Sequence, residues 1–188
     1  HLLIAAGRRA ALAGMGLDEA GVAHTPQGVT VDDRLRSTNR RVYAIGDAAG
    51  GAQFTHVAAW HAGLVLRRAL FGLPARARHP AIPRAVYTDP ELAQVGLTEA
   101  EARARHGAAL SVHRADFGHN DRALTDGRTS GEIKLMVVGG RPVGVSIVGP
   151  QAGELIGLWA LAISSRLKLS AIAGAILLAA GLVAMTAG

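Results

Sequence analysis

Apolar and polar positions alternate with two different rhythms along the chain, one on each side of a segment rich in Pro, Ala and Arg between Pro74 and Pro83. On the first side, His1 to Ala6 is a short apolar run ending at Gly7, the pattern of a buried strand. Asp18 to Gly21 offers a helical turn, Gly28 to Asp32 alternates like an edge strand, and Arg41 to Ile45 predicts a second buried strand stopped by Gly46-Asp47. Val57, Ala58, Trp60, Leu64, Val65 and Leu66 then fall at spacings that give one apolar face to a helix over Thr55–Leu70. Thr55 is placed to cap it, and Gly72 and Pro74 to end it.

On the second side the pattern predicts a strand at Ala85 to Thr88 and a capping box in Thr98 and Glu101, which opens a helix to about His106. Ile133 to Val138 and Val143 to Val148 flank Gly139-Gly140, a pair that tolerates the positive φ angles of a tight primed hairpin turn. A helix rich in Leu, Ile and Ala follows over Ala152–Leu167. The expected fold is α+β: an antiparallel sheet with its helices on one face, preceded by a partial α/β segment. The expected domain bounds are residues 1–75 for that segment, 76–83 for a linker, 84–170 for the sheet domain and 171–188 for an apolar tail.

Composition narrows the chemistry. The 188 residues hold no cysteine, which removes disulfides, thiolate metal sites and a thiol nucleophile from this chain. Net charge is +6, but the arginines are scattered singly or in pairs and no basic stripe interleaves with aromatics, so no nucleic-acid partner is expected. The chain opens within an apolar run and its first methionine is Met15, which reads as a piece of a longer protein. No charged region followed by a small-residue cleavage site opens it.

Thr38-Asn39-Arg40-Arg41-Val42-Tyr43-Ala44-Ile45-Gly46-Asp47, with Thr55 at a helix start, carries the main site signal. A strand ending in Gly-Asp lets a ligand approach the backbone and sets a carboxylate to accept hydrogen bonds from polyol hydroxyls. The following helix start favours negative charge. This string resembles the second flavin-binding segment of the pyridine nucleotide-disulfide oxidoreductases, the family of glutathione reductase, dihydrolipoamide dehydrogenase and mercuric reductase. The resemblance implies that Gly46 and Asp47 meet the ribityl chain of FAD, and that Gln53, Phe54 and Thr55 lie by the pyrimidine side of the flavin. Ala5-Ala6-Gly7-Arg8 is similar to the family's Ala-x-Gly-Arg at the end of its NAD-binding domain, with Arg9-Ala10 where Pro-Asn usually follows, and the resemblance implies that Gly7 and Arg8 belong to the cofactor-binding set. Tyr87 to Glu99, with Pro90, Gly96 and Thr98, resembles the opening of the family's interface domain.

The resemblance implies an FAD-dependent NAD(P)H oxidoreductase passing electrons to a disulfide, a metal ion or another acceptor, built as a cytoplasmic homodimer. This chain is expected to supply FAD contacts and the dimer interface, with a missing N-terminal half carrying the redox cysteines and the first dinucleotide motif. No catalytic residue carries over, because the family's His-Pro-Thr…Glu loop is replaced by Ile172 to Ala180. Two other readings are a flavin-free oligomerisation module and a membrane-attached flavoprotein, the latter resting on the uncharged run Leu169–Gly188. A membrane anchor is not the expectation, nor is a metal: His56 and His61 are five apart on one helix, and His113 and His119 flank a strand end beside Asp116 and Asp121 without convergent geometry. These histidines are expected to face solvent or flavin.

Overall fold

The computed structural model describes residues 1–78 and 81–174, so the expected apolar tail over 171–188 and the loop position over 172–180 lie outside the described residues from 175 onward. Two compact units appear, His1–Arg78 and His79–Gly188.

The first unit carries little regular structure ahead of its helix. Strands β1 (His24–Thr25) and β2 (Gly28–Val29) form a two-residue antiparallel hairpin. The core is small: Val22, Val29 and Ala44 are buried, with Leu12, Leu17, Val31, Val42 and Ala49 packed on them. Two expected strands are absent. Residues 1–6 run as exposed, non-regular chain, with Leu2, Leu3 and Ile4 open to solvent. A strand is held by a neighbour that takes up its backbone donors and acceptors, and no strand among the described residues lies alongside this run. Arg40 and Arg41 lie in a turn, and Val42 to Ile45 pairs only through an isolated bridge between Arg36 and Tyr43 before Gly46 turns the chain at φ +56°. Helix α1 (Thr55–Phe71) forms as expected and ends at Gly72, whose left-handed conformation lets its N–H reach the last-turn carbonyls. Its apolar side is more open than the spacing suggests. Only Val57 and His61 are buried, while Leu66, Leu70 and Phe71 are exposed.

The second unit is built on a five-stranded antiparallel sheet in the order β3-β4-β7-β6-β5. Its strands are β3 (Arg84–Val86), β4 (Glu91–Gly96), β5 (Leu110–Asp116), β6 (Glu132–Val138) and β7 (Arg141–Gly149). Gly139 and Gly140, both at positive φ, join β6 to β7 in the expected two-residue turn. Helix α2 (Glu99–His106) starts with the expected capping box: Thr98 accepts from the Glu101 N–H and the Glu101 carboxylate accepts from the Thr98 N–H. A short helix α3 (Asp121–Thr125), capped by Asn120, lies between β5 and β6, and α4 (Ala152–Ser164) follows β7. At the start of α4 the Glu91 carboxylate accepts from the Gly153 N–H at 2.9 Å, tying the helix to β4.

Strand alternation sorts the packing. Ala93, Val95, Ile133, Leu135, Val145 and Ile147 share one face of the sheet and pack with Ala152, Ile156, Trp159 and Ile163 of α4. Arg114, Lys134, Ser146 and Gln94 lie in one row on the other face. There Glu99, the first residue of α2, pairs with Arg114 and Lys134. The α+β class holds, but α2 and α4 take opposite faces of the sheet rather than one. The period-2 alternation that buries Ile133 and Ile147 under α4 turns Lys134 and Ser146 the other way.

Candidate functional site

The turn carrying Asp47 is held by polar contacts that begin in the Thr38-Asn39 pair. Thr38 Oγ1 accepts from the Ala23 N–H and donates to the Gly21 carbonyl, both at 2.8 Å, while Asn39 Nδ2 donates to the Ala20 carbonyl at 2.7 Å. The turn at 16–22 is thereby fastened to the segment running toward Asp47. Tyr43 accepts from the Arg36 guanidinium at 3.0 Å, and that bond holds its phenol below the usual tyrosine range. Ala44, buried, donates its N–H to the Leu35 carbonyl.

Gly46–Ala49 then forms a 3-10 turn that only glycines permit. A Cβ on Gly46 would fall 2.6 Å from the Ala58 Cβ of α1, and one on Gly28 would fall 2.5 Å from the Gly50 nitrogen. The turn is therefore pressed between β2 and α1. Asp47 sits on its outer side, exposed, and its carboxylate has no side-chain partner among the described residues. The carboxylate is free to accept hydrogen bonds from a ligand.

At the start of α1 the structure corrects one expectation. Phe54 is the cap residue and Thr55 the first helical residue, exposed, with no side chain capping the helix and no acid in its first turn. The positive end of a 17-residue helix is left uncompensated by the helix's own side chains. Phe54 stacks on His56 with ring centroids 5.4 Å apart. Arg8 reaches this loop and donates to the Gln53 carbonyl at 3.2 Å, next to Gly7 at φ +109°. Within the first unit the structure thus gathers the expected residues into two groups, Gly46 and Asp47 on the turn, and Arg8, Gln53, Phe54 and Thr55 around the helix start.

His61 is a participant that the pattern misses. Expected to face solvent or flavin, it is buried, and its Nδ1 accepts from the Gly46 N–H at 3.1 Å. Burial pushes its imidazole below the ordinary histidine value, which keeps the ring neutral at pH 7 with the proton on Nε2. Its spacing of four from the buried Val57 was the available signal, since i and i+4 share a helix face.

A separate cavity of about 610 Å³ lies in the second unit, lined by Phe117, Arg122, Arg128, Pro150 and Leu155 among others, and holds none of the expected site residues. Among the described residues no three His, Asp or Glu side chains converge as a metal site would need, and no helix is long and apolar enough to cross a membrane.

Comparison with known proteins identifies the family. The family model described as pyridine nucleotide-disulphide oxidoreductase matches residues 1–62, and the one described as the dimerisation domain of the same enzymes matches residues 82–180. The chain belongs to the pyridine nucleotide-disulphide oxidoreductase family. Among relatives, the dihydrolipoyl dehydrogenase of Bacillus subtilis is 36% identical over 159 residues, covering 84% of this chain and 34% of that protein. The mercuric reductase of Shigella flexneri is 39% identical over 175 residues, covering 92% of this chain and 31% of that protein. The HOCl-induced flavoprotein disulfide reductase RclA of Escherichia coli superposes with a TM-score of 0.81 at 31% identity, over 90% of this chain and 40% of that one. LpdA of Mycobacterium tuberculosis gives the same TM-score at 26% identity, over 90% of this chain and 38% of that one. The chain spans about a third of the length of the curated relatives it matches. The family's dimerisation domain falls on the sheet and helices of the second unit.

Proposed function

We propose that this chain supplies one wall of a flavin site and the homodimer interface of an FAD-dependent NAD(P)H oxidoreductase whose acceptor is a disulfide, a metal ion or a related oxidant. On this reading residues 1–75 are the end of the NAD-binding domain with the second flavin-contact segment, 76–83 a linker and 84–170 the interface domain. The observation that carries it is the exposed, unengaged carboxylate of Asp47 on a glycine-built turn beside α1.

The residues fit the group they would hold. Gly46 and Asp47 would meet the ribityl hydroxyls, the carboxylate accepting their hydrogen bonds. The start of α1 at Thr55, with Gln53 and Phe54 before it, offers an uncompensated positive end to an electron-rich ring edge. Gly7 and Arg8 would brace that loop through the bond to Gln53. When bound, FAD supplies the hydride and electron transfer. The chain's own residues bind and orient, and none of them exchanges protons with an acceptor. Catalysis on this reading needs a dinucleotide-binding half with its redox groups. A cytoplasmic setting accords with the use of NAD(P)H.

The interface reading draws on α4, whose Leu155, Leu158 and Leu161 are 41%, 49% and 60% exposed, an apolar row of the kind a second copy covers.

Two measurements test the proposal. The purified chain given FAD and NADPH is expected to reduce no disulfide or dye. Co-expressed with the part of the Bacillus subtilis dihydrolipoyl dehydrogenase that the match leaves uncovered, the match taking 34% of that protein, it is expected to carry flavin through gel filtration. Turnover by the chain alone, or a colourless assembly in the second case, would overturn it.

A further inference from the structure

Apart from the exposed site residues, the first unit holds one buried titratable group with a specific partner, and it stands directly behind the proposed flavin wall. We propose that His61 is a positioning residue, whose neutral ring holds the Gly46–Asp47 turn against α1 and lets go of it when protonated. The inference rests on the flavin reading for its consequence, but not for its geometry.

Two contacts fix the turn on the helix. Gly46 packs so closely on Ala58 that a Cβ would overlap it, and its N–H donates to His61 Nδ1, one helical turn further along the same face. Since Gly46 immediately precedes Asp47, the direction of the carboxylate is set by the peptide this hydrogen bond holds. The bond requires the ring nitrogen as acceptor. A protonated imidazole has two donors and no acceptor, and would set an N–H against the Gly46 N–H in a buried place.

Among the described residues, no charge packed on the ring offsets that loss. On the turn the ionisable group is Asp47, whose side chain is exposed. On α1 they are His56 and Arg67, which are offset from the His61 face, and Arg68, two turns along, which interacts with Tyr43. Trp60 lies beside the ring with centroids 5.2 Å apart. Burial is the cause of the depressed basicity of His61, with no carboxylate contributing. The sign follows. Because the folded value lies below the ordinary one, the neutral ring's contribution is fully present above about pH 6.5 and is lost as pH falls through the lowered value.

The test uses the full chain and NMR, with flavin binding as a separate arm. In wild type, His61 is expected as the Nε2-protonated tautomer, and the Gly46 amide shift is expected to follow its titration below about pH 6.5. His61→Leu removes the acceptor and should speed Gly46 amide exchange roughly tenfold or more, the loss of one hydrogen bond to a buried donor, with the Val145 and Ile147 amides of the second unit unchanged. His61→Asn, whose Oδ1 can accept in the place of Nδ1, should restore protection and abolish the pH response. A Gly46 amide indifferent to His61 titration, or equally protected in His61→Leu, would overturn the proposal. In the flavin arm, the co-expressed assembly should lose FAD on acidification in wild type but not in His61→Asn. If wild type takes up no FAD at any pH, the flavin reading fails, and the positioning claim stands or falls on the Gly46 amide alone. If FAD binds and its retention ignores pH while Gly46 responds, the coupling of turn to flavin is refuted.

Discussion

The two units of this chain make their structure in different ways. The second closes a five-stranded sheet over a core in which Ala93, Val95, Val145, Ile147 and Ile156 are almost fully buried, and its strands find their hydrogen-bond partners in one another. The first gathers Val22, Val29 and Ala44 into a small cluster, with Leu35 and Val57 buried apart from it, and is held largely by turns: Thr38 and Asn39 on the 16–22 turn, Asp32 on the Arg34 and Arg36 amides, Gly46 on His61. The exposed groups proposed to meet a flavin sit on the unit with the smaller core. On that proposal stability and binding are divided between a sheet that packs itself and a set of glycine-built turns that present polar groups.

The sharpest way to break that contrast is to cut each core. Ile147→Ala should destabilise the second unit by about 2–5 kcal/mol, as large-to-small changes in closed cores do, read by denaturant unfolding. Val22→Ala in the first unit should cost less, and an equal loss would abolish the distinction. Next, Gly46→Ala forces a side chain into a left-handed conformation and onto Ala58, a cost of about 1–3 kcal/mol. It should appear as local loss of amide protection around 44–50, leaving the unfolding of the sheet intact. Thr98→Ala removes one half of the capping box of α2 and should cost about 1 kcal/mol, measurable as a fall in Tm.

A smaller effect is expected at Glu99. Its bonds to Arg103 and then to Lys134 hold its carboxyl below the usual range. A depressed carboxylate stabilises above its unfolded value and loses that contribution as pH falls through the folded one. Tm measured from neutral to acid pH should therefore fall slightly more steeply in wild type than in Glu99→Gln, and parallel curves would remove Glu99 from the account.

What the sequence could announce follows the same division. Gly139-Gly140, the Thr98–Glu101 box and the Gly72 stop of α1 are local devices whose physics is complete within a few residues, and each appears where expected. Leu2 to Ile4 looked like a strand because apolar runs usually find a sheet, and nothing within the run tells whether one is beside it. The pattern gave no expectation for β4, whose Glu91, Gln94 and Gly96 interrupt its apolar positions. The assignment of α2 and α4 to one face failed because the capping box says where a helix starts and not which side of the sheet it meets. At the site, Gly46-Asp47 was legible as a turn with a carboxylate. His61 was not, because a histidine's role depends on what lies across from it in space.

Asp47→Asn should have the smallest effect on folding, within about 0.5 kcal/mol, since the side chain is exposed and unengaged, and it bears most directly on function. Co-expressed with the part of the Bacillus subtilis relative that the match leaves uncovered, the wild-type chain and the Asp47→Asn variant are to be compared for FAD retained per protomer at matched stability. Retention in wild type with a marked loss in the variant is the predicted result. Equal retention in both would contradict the assignment of that carboxylate to the flavin.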